Sequence, residues 1–154
     1  MAELEVGAPA PEFELEGPDG PIRLSDYAGK ALVLYFYPKD DTTGCTKEAI
    51  DFSSHLDAFA AAGAEILGVS KDSVASHAKF AAKHDLKVRL GSDPTGAVTE
   101  AYGAWVEKNM YGRKYMGIER STFLIGRDGR IAALWRKVKV PGHAQAVLSA
   151  VQSL

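Results

Sequence analysis

The sequence predicts an α/β fold, a central mixed sheet flanked by helices with an N-terminal hairpin at its rim. Three observations carry this. A continuous apolar run spans 31–37, short apolar runs alternate with helical periodicity through the middle of the chain, and an Asp-Gly pair separates two apolar runs near the C-terminus.

Near the start, Phe13 and Leu15 alternate with acids, Pro18-Asp19-Gly20-Pro21 supplies a turn, and Ile22 and Leu24 resume the alternation. This is a hairpin pattern, and its polar edges place it on the rim. Ala31 to Tyr37 is apolar throughout and ends at Pro38, as expected of a central strand covered on both faces. From Thr43 to Ala62, Ala49, Phe52, Leu56, Phe59 and Ala60 recur at helical spacing before the stop at Gly63. A strand over 64–69, a helix over 73–83, a short strand over 87–91 and a short helix over 95–102 continue the βαβ rhythm. The stretch from Trp105 to Glu119 is read as irregular. Arg127-Asp128-Gly129-Arg130 then joins strands at 122–125 and 131–135. The last helix, over 142–154, is expected to bury Ala146, Val147, Ala150, Val151 and Leu154. Central strands, a closing hairpin and a C-terminal helix together suggest a thioredoxin-like arrangement.

With 154 residues, 46% hydrophobic and 25% charged, and no repeat or long linker, residues 1–154 are expected to form one domain. A net charge of −2 without like-charge blocks gives no drive toward nucleic acid or anionic membrane. No apolar run approaches the roughly 20 residues that span a bilayer, and the acidic N-terminus lacks a signal-peptide layout. A cytoplasmic protein is the expectation. One cysteine, Cys45, excludes an internal disulfide and any multi-cysteine metal site. His55, His77, His84 and His143 show no metal-binding spacing and are expected on the surface, so no metal and no cofactor is expected. No phosphate-binding glycine motif occurs.

Cys45 falls on the first turn of the expected helix. Unpaired N–H groups and the positive end of the helix dipole favour an anion there, so the thiol pKa is expected to fall. The same placement also fits a small buried hydrophobe. Thr42, three residues earlier, offers a hydroxyl to a substrate oxygen or caps the helix. Pro38 either stiffens the approach to the sulfur or simply ends the strand. Gly44 permits close backbone approach or meets a turn's conformational need. Arg120, just before the strand at 122–125, stands at an element end from which a guanidinium could stabilise charge beside the sulfur, or is one of the chain's several surface charges.

The segment YFYPKDDTTGCTKEA resembles the active-site segment of the peroxiredoxins, with Pro38, Thr42 and Cys45 matching the pattern P-x-x-x-T-x-x-C. The similarity is to the Q-type, or bacterioferritin-comigratory, branch and continues through 71–73, 92–94, 101–103, 114–118 and 120–125. What the resemblance implies is a thioredoxin-like, cofactor-free thiol peroxidase with an antioxidant role. Cys45 would be its peroxidatic cysteine, attacking hydrogen peroxide or an organic hydroperoxide to give a sulfenic acid. Arg120 would be its active-site arginine, Thr42 its peroxide-binding hydroxyl and Pro38 its shielding proline. Glu48 matches an acid that orients the arginine, although a solvent-facing carboxylate fits that position too.

Many Q-type members carry a resolving cysteine five residues after the first, where this chain has Ile50. The resemblance is therefore to a 1-Cys variant, a monomer or homodimer that relies on an external thiol such as thioredoxin, glutaredoxin or glutathione. Lys108, Arg113 and Lys114 with Tyr111 and Tyr115 make a basic-aromatic segment, expected to be a solvated loop. Trp105 and Trp135 are expected to pack.

Overall fold

Strand β3, Ala31–Phe36, organises the molecule because every one of its side chains is buried. Alternate residues point to opposite faces of a strand. Val33 and Tyr35 enter one apolar cluster, and Leu32, Leu34 and Phe36 enter the other. A strand with two buried faces must be apolar throughout, as the sequence at 31–37 is.

The computed structural model describes residues 4–154. The chain runs β1 (Glu14–Gly17), β2 (Gly20–Arg23), a 3₁₀ turn (Leu24–Tyr27), β3, then helices α1 (Thr43–Ser54) and α2 (Leu56–Ala61). It continues with β4 (Ala64–Ser70), α3 (Val74–His84), β5 (Arg89–Ser92) and α4 (Ala97–Ala101). The hairpin β6 (Trp105–Met110) and β7 (Arg113–Ile118) precedes β8 (Ser121–Ile125), β9 (Ile131–Trp135) and α5 (His143–Gln152). Among the described residues the main sheet has the order β2-β1-β5-β4-β3-β8-β9, with β3, β4 and β5 parallel and the remaining pairs antiparallel. This is a mixed sheet with its N-terminal hairpin at one edge, as the sequence predicts. At the other edge, the segment before β1 bonds to the start of β9: the N–H of Gly7 donates to Ile131, and that of Ile131 to Ala8. Among the described residues no helix is long and apolar enough to cross a membrane, while residues 1–3 of the N-terminal segment tested for a signal layout lie outside them.

Three expectations need correction. The helix expected over 43–62 is two helices, broken at His55. The carbonyl of Asp51, which would accept the next helical bond, instead accepts from the Ser54 hydroxyl at 2.8 Å and faces His55 Nδ1 at 2.9 Å. The His55 N–H turns to Phe52, so local side chains displace the helical ladder, and Ala60 beyond the break faces solvent. In α5 the buried stripe is Ala144, Val147, Leu148 and Val151, one residue round from the expected face, with Ala146 and Leu154 exposed. Both stripes satisfy helical spacing, and packing on α1 and α2 selects between them.

The third correction concerns 105–119, which is a regular two-stranded hairpin rather than irregular chain. Its turn places Tyr111 at φ 54° and Gly112 at φ 77°, the left-handed pair that matches strand twist. A tyrosine at that position hid the turn, and largely exposed strands hid the alternation.

Parallel pairing sets Tyr35 of β3 beside Gly68 of β4. Tyr35 stacks on Phe52 at 4.8 Å between ring centres and leans over the glycine. A Cβ at Gly68 would stand 2.6 Å from the Tyr35 Cζ. Gly68→Ala should therefore destabilise the fold by about 1–3 kcal/mol, read from urea unfolding. Wild-type stability would contradict this packing.

Candidate active site

Pairing between β3 and β8 sets Ser121 opposite Phe36, so Arg120 lies just past the end of β3, where the chain turns toward α1. Its backbone is held on both sides. The Arg120 carbonyl accepts from Val138 at 3.0 Å, and the Glu119 N–H donates to Ala104 at 2.7 Å. From that anchor the guanidinium crosses the first turns of α1. Nη2 donates to Cys45 Sγ at 3.3 Å, and Nη1 donates to Glu48 Oε1 at 2.7 Å. Cys45 and Glu48 are three residues apart on one helix face, so a single planar fork reaches both. Gly44 makes room for it, since a Cβ there would stand 3.2 Å from Nη2. Close approach, not a left-handed turn, explains this glycine, which is absent from the positive-φ residues.

Cys45 is 2% exposed. The first α1 hydrogen bond runs from the N–H of Thr46 to the carbonyl of Thr42. The N–H groups of Thr43, Gly44 and Cys45 therefore have no intrahelical acceptor, and the positive end of the helix lies at the turn that carries the sulfur. Thr42 occupies the N-cap position, yet its side chain makes no capping bond. Its hydroxyl donates to the Lys39 carbonyl at 2.9 Å, which leaves its lone pairs available as acceptors. Pro38 and Thr42 are exposed, on the loop that leads to the buried sulfur.

Glu48 is buried rather than solvent-facing. Burial raises its pKa to about 7, against the opposing pull of the Arg120 charge and hydrogen bond, and its Oε2 has no partner among the described residues. Burial alone would lower the pKa of Arg120, but Glu48 and Cys45 together raise it, so the guanidinium stays charged. Lys108 adds a second cation whose pKa is lowered by burial and by Arg120. Its stem lies across Gly117, where a Cβ would stand 3.3 Å from Lys108 Cδ. The hairpin thus brings part of the basic-aromatic segment into the field of the site.

The expectation of surface histidines fails at two positions. His143 is buried edge-on to Phe52 and Trp135 with Nε2 2.8 Å from Thr122 Oγ1, and burial followed by the Arg120 charge lowers its pKa to about 4. His77 is buried against Asp40. Its position signalled this: Val74, His77, Phe80 and His84 repeat at helical spacing along α3, so His77 lies on the apolar stripe. Asp40, placed by the sequence in the segment around the cysteine but given no role, is buried as well. Ile50 is exposed at 43%. Trp105 and Trp135 pack at the margins of the two apolar clusters, as expected.

Glu48 and His143 act oppositely on stability. Folded Glu48 keeps its proton up to about pH 7 against a usual 4.5, so the folded state holds the extra proton between those values. Its contribution to stability is lost as pH rises through that window. His143, lowered from 6.5 to about 4, makes stability rise with pH between those values. Glu48→Gln removes only the first effect. Urea unfolding should show the variant gaining more stability than wild type between about pH 5 and pH 7.5. Equal gains would contradict a protonated, buried Glu48.

Residues 6–134 match the AhpC/TSA family. Peroxiredoxin Bcp of Bacillus subtilis is 48% identical over 152 residues, covering 98% of this chain and 97% of the relative. A putative peroxiredoxin bcp of Coxiella burnetii is 50% identical over 146 residues, covering 94% and 97%. Among solved structures, the bacterioferritin comigratory protein of Xanthomonas campestris, described for its alkyl peroxide reduction activity, superposes with a TM-score of 0.90 at 47% identity, covering 99% and 97%. A Xylella fastidiosa PrxQ structure gives a TM-score of 0.93 at 41% identity, covering 99% and 98%. With its thioredoxin-like fold and single cysteine, the chain belongs to the AhpC/TSA family, as a 1-Cys peroxiredoxin of the bacterioferritin-comigratory, or Q-type, branch.

Proposed function

We propose that Cys45 is the peroxidatic nucleophile of this thiol-dependent peroxidase, with Arg120, Thr42 and Pro38 forming the peroxide pocket and Glu48 and Gly44 holding the arginine in place. The observation that carries this reading is the guanidinium of Arg120 shared between Cys45 Sγ and Glu48 Oε1, at the N-terminus of a helix.

The Cys45 thiolate attacks the terminal oxygen of a hydroperoxide. The sulfur–oxygen bond forms as the O–O bond breaks, and its electron pair leaves on the departing oxygen. That oxygen takes a proton and departs as water or an alcohol, while Cys45 becomes a sulfenic acid. Arg120 and the free N–H groups of α1 oppose the negative charge that moves from sulfur to oxygen. Thr42, its hydroxyl proton already committed to Lys39, accepts from the peroxide O–H. Gly44 supports the arrangement by leaving the guanidinium its place.

With no second cysteine in the chain, an external thiol must return the sulfur to its starting state. A first thiol condenses with the sulfenic acid, releasing water and giving a mixed disulfide, and a second thiol exchanges with it to free Cys45. Thioredoxin, glutaredoxin and glutathione supply this chemistry. Two apolar clusters sharing one sheet support a single domain over 1–154, and the lone reduced thiol suits a cytoplasmic setting.

One equivalent of hydrogen peroxide followed by dimedone should give a single adduct by intact mass, absent in Cys45→Ser. An adduct or peroxide turnover in Cys45→Ser would overturn the assignment. Arg120→Ala should slow the peroxide step about 10²–10³-fold in stopped-flow measurements while leaving the fold intact. An unchanged rate would remove Arg120 from the pocket.

A further inference from the structure

The loop from Tyr37 to Thr42 carries Pro38 and Thr42 toward Cys45, and it is fastened to α3, outside the pocket. Asp40 Oδ1 accepts from the Tyr37 hydroxyl at 2.6 Å. Asp40 Oδ2 accepts from the Ser76 hydroxyl at 2.8 Å and lies 2.7 Å from His77 Nδ1. The N–H of Asp40 donates to Asp72 Oδ2 at 2.8 Å, an oxygen that also accepts from the Ser70 hydroxyl at 2.7 Å. On its far side, His77 Nε2 stands 3.0 Å from the Gly91 carbonyl.

The contact on the far side fixes one proton. A carbonyl oxygen only accepts, so His77 Nε2 carries a hydrogen. The Asp40 oxygens already accept from two hydroxyls. Burial pushes the Asp40 pKa up, but hydrogen bonds from His77, Tyr37 and Ser76 outweigh it and leave the carboxyl below its ordinary value. Asp40 Oδ2 and His77 Nδ1 meet across one buried hydrogen bond. Both side chains are nearly inaccessible, at 5% and 4%.

A buried polar contact is a poor source of stability because both groups lose their hydration. What this pair does is select one path for the loop. The next residue, Asp41, has φ 59°, a left-handed conformation uncommon for a non-glycine residue, and it pairs with Lys83 and His84 of α3, each at 2.7 Å. Thr42 then returns to extended geometry and starts α1. Two successive aspartates thus bind the entry to the active-site helix onto a single neighbouring helix.

We infer that Asp40 and His77 are positioning residues for the peroxide pocket: their buried hydrogen-bonded contact fixes the path of residues 37–42 and so sets where Pro38 and Thr42 stand relative to the Cys45 sulfur. The inference rests on the reading of Cys45, Thr42 and Pro38 given above. Neither residue touches the peroxide.

The test compares two reactions of Cys45 in wild type, Asp40→Asn, His77→Gln and the double variant. Oxidation by hydrogen peroxide needs the shaped pocket, whereas alkylation by iodoacetamide needs a nucleophilic, reachable sulfur but no groups placed for a peroxide. Each single variant should lose about ten- to a hundredfold in peroxide rate, the double variant no more than the worse single, and alkylation should stay near the wild-type rate. Folded variants with the wild-type peroxide rate would overturn the inference, as would alkylation slowing in parallel with oxidation. If Asp40→Asn does not fold, His77→Gln carries the same comparison. A wild-type protein inert to peroxide would sink the reading of Cys45 and this inference with it; a reactive wild type with unaffected variants would sink this inference alone.

Discussion

The guanidinium of Arg120 is the piece on which the rest of the site depends. Its two nitrogens serve a sulfur and a carboxylate that lie three residues apart on α1. The β3–β8 register must bring Arg120 to the end of β3, and position 44 must lack a side chain. A lysine could not replace it, because one ammonium lacks the planar fork that reaches both partners. Glu48 gives the cation a fixed counterpart, but burial opposes its ionisation, so the pair is not a fully neutralised one. The arginine is left with positive charge to direct at sulfur.

The exposure of the two reacting surfaces is unequal. A sulfur that is 2% exposed offers a reacting partner little surface in this arrangement. A protein thiol is far bulkier than a hydroperoxide and reaches that sulfur only if the first turn of α1 or the loop before it moves aside. Relatives with a resolving cysteine bring the second thiol on their own chain. Here the corresponding position is an exposed isoleucine, and the chain carries no second cysteine.

Much of the fold was legible because its strongest signals are local. The apolar run at 31–37 demands cover on both faces, and Asp128-Gly129 demands a hairpin. The place of Thr42, Gly44 and Cys45 at the head of a helix was legible from the strand before them, but that place alone left each a structural role as well, and only the resemblance to the peroxiredoxins singled them out. Arg120 was a harder case: only the antiparallel register, a long-range property, brings it to the sulfur. Glu48 was ambiguous because helical spacing does not say which polar residue is covered by a neighbouring strand. The break at His55 arises from side chains competing for one carbonyl, a contest that hydrophobic periodicity does not register. The Asp40–His77 pair was invisible for a similar reason, since its partners are 37 residues apart and joined only by tertiary packing.

The two margins of the sheet also shape how the molecule behaves among its own copies. An outer strand with free N–H and C=O groups is a template for joining another chain. At one margin β2 is four residues long and contains Pro21, which has no N–H to offer. At the other, residues 7 and 8 occupy the bonding groups of Ile131, and β9 is further interrupted by a bulge against β8. Both margins are blunted against edge-to-edge growth. A strand of another molecule therefore finds little template on either margin of this sheet.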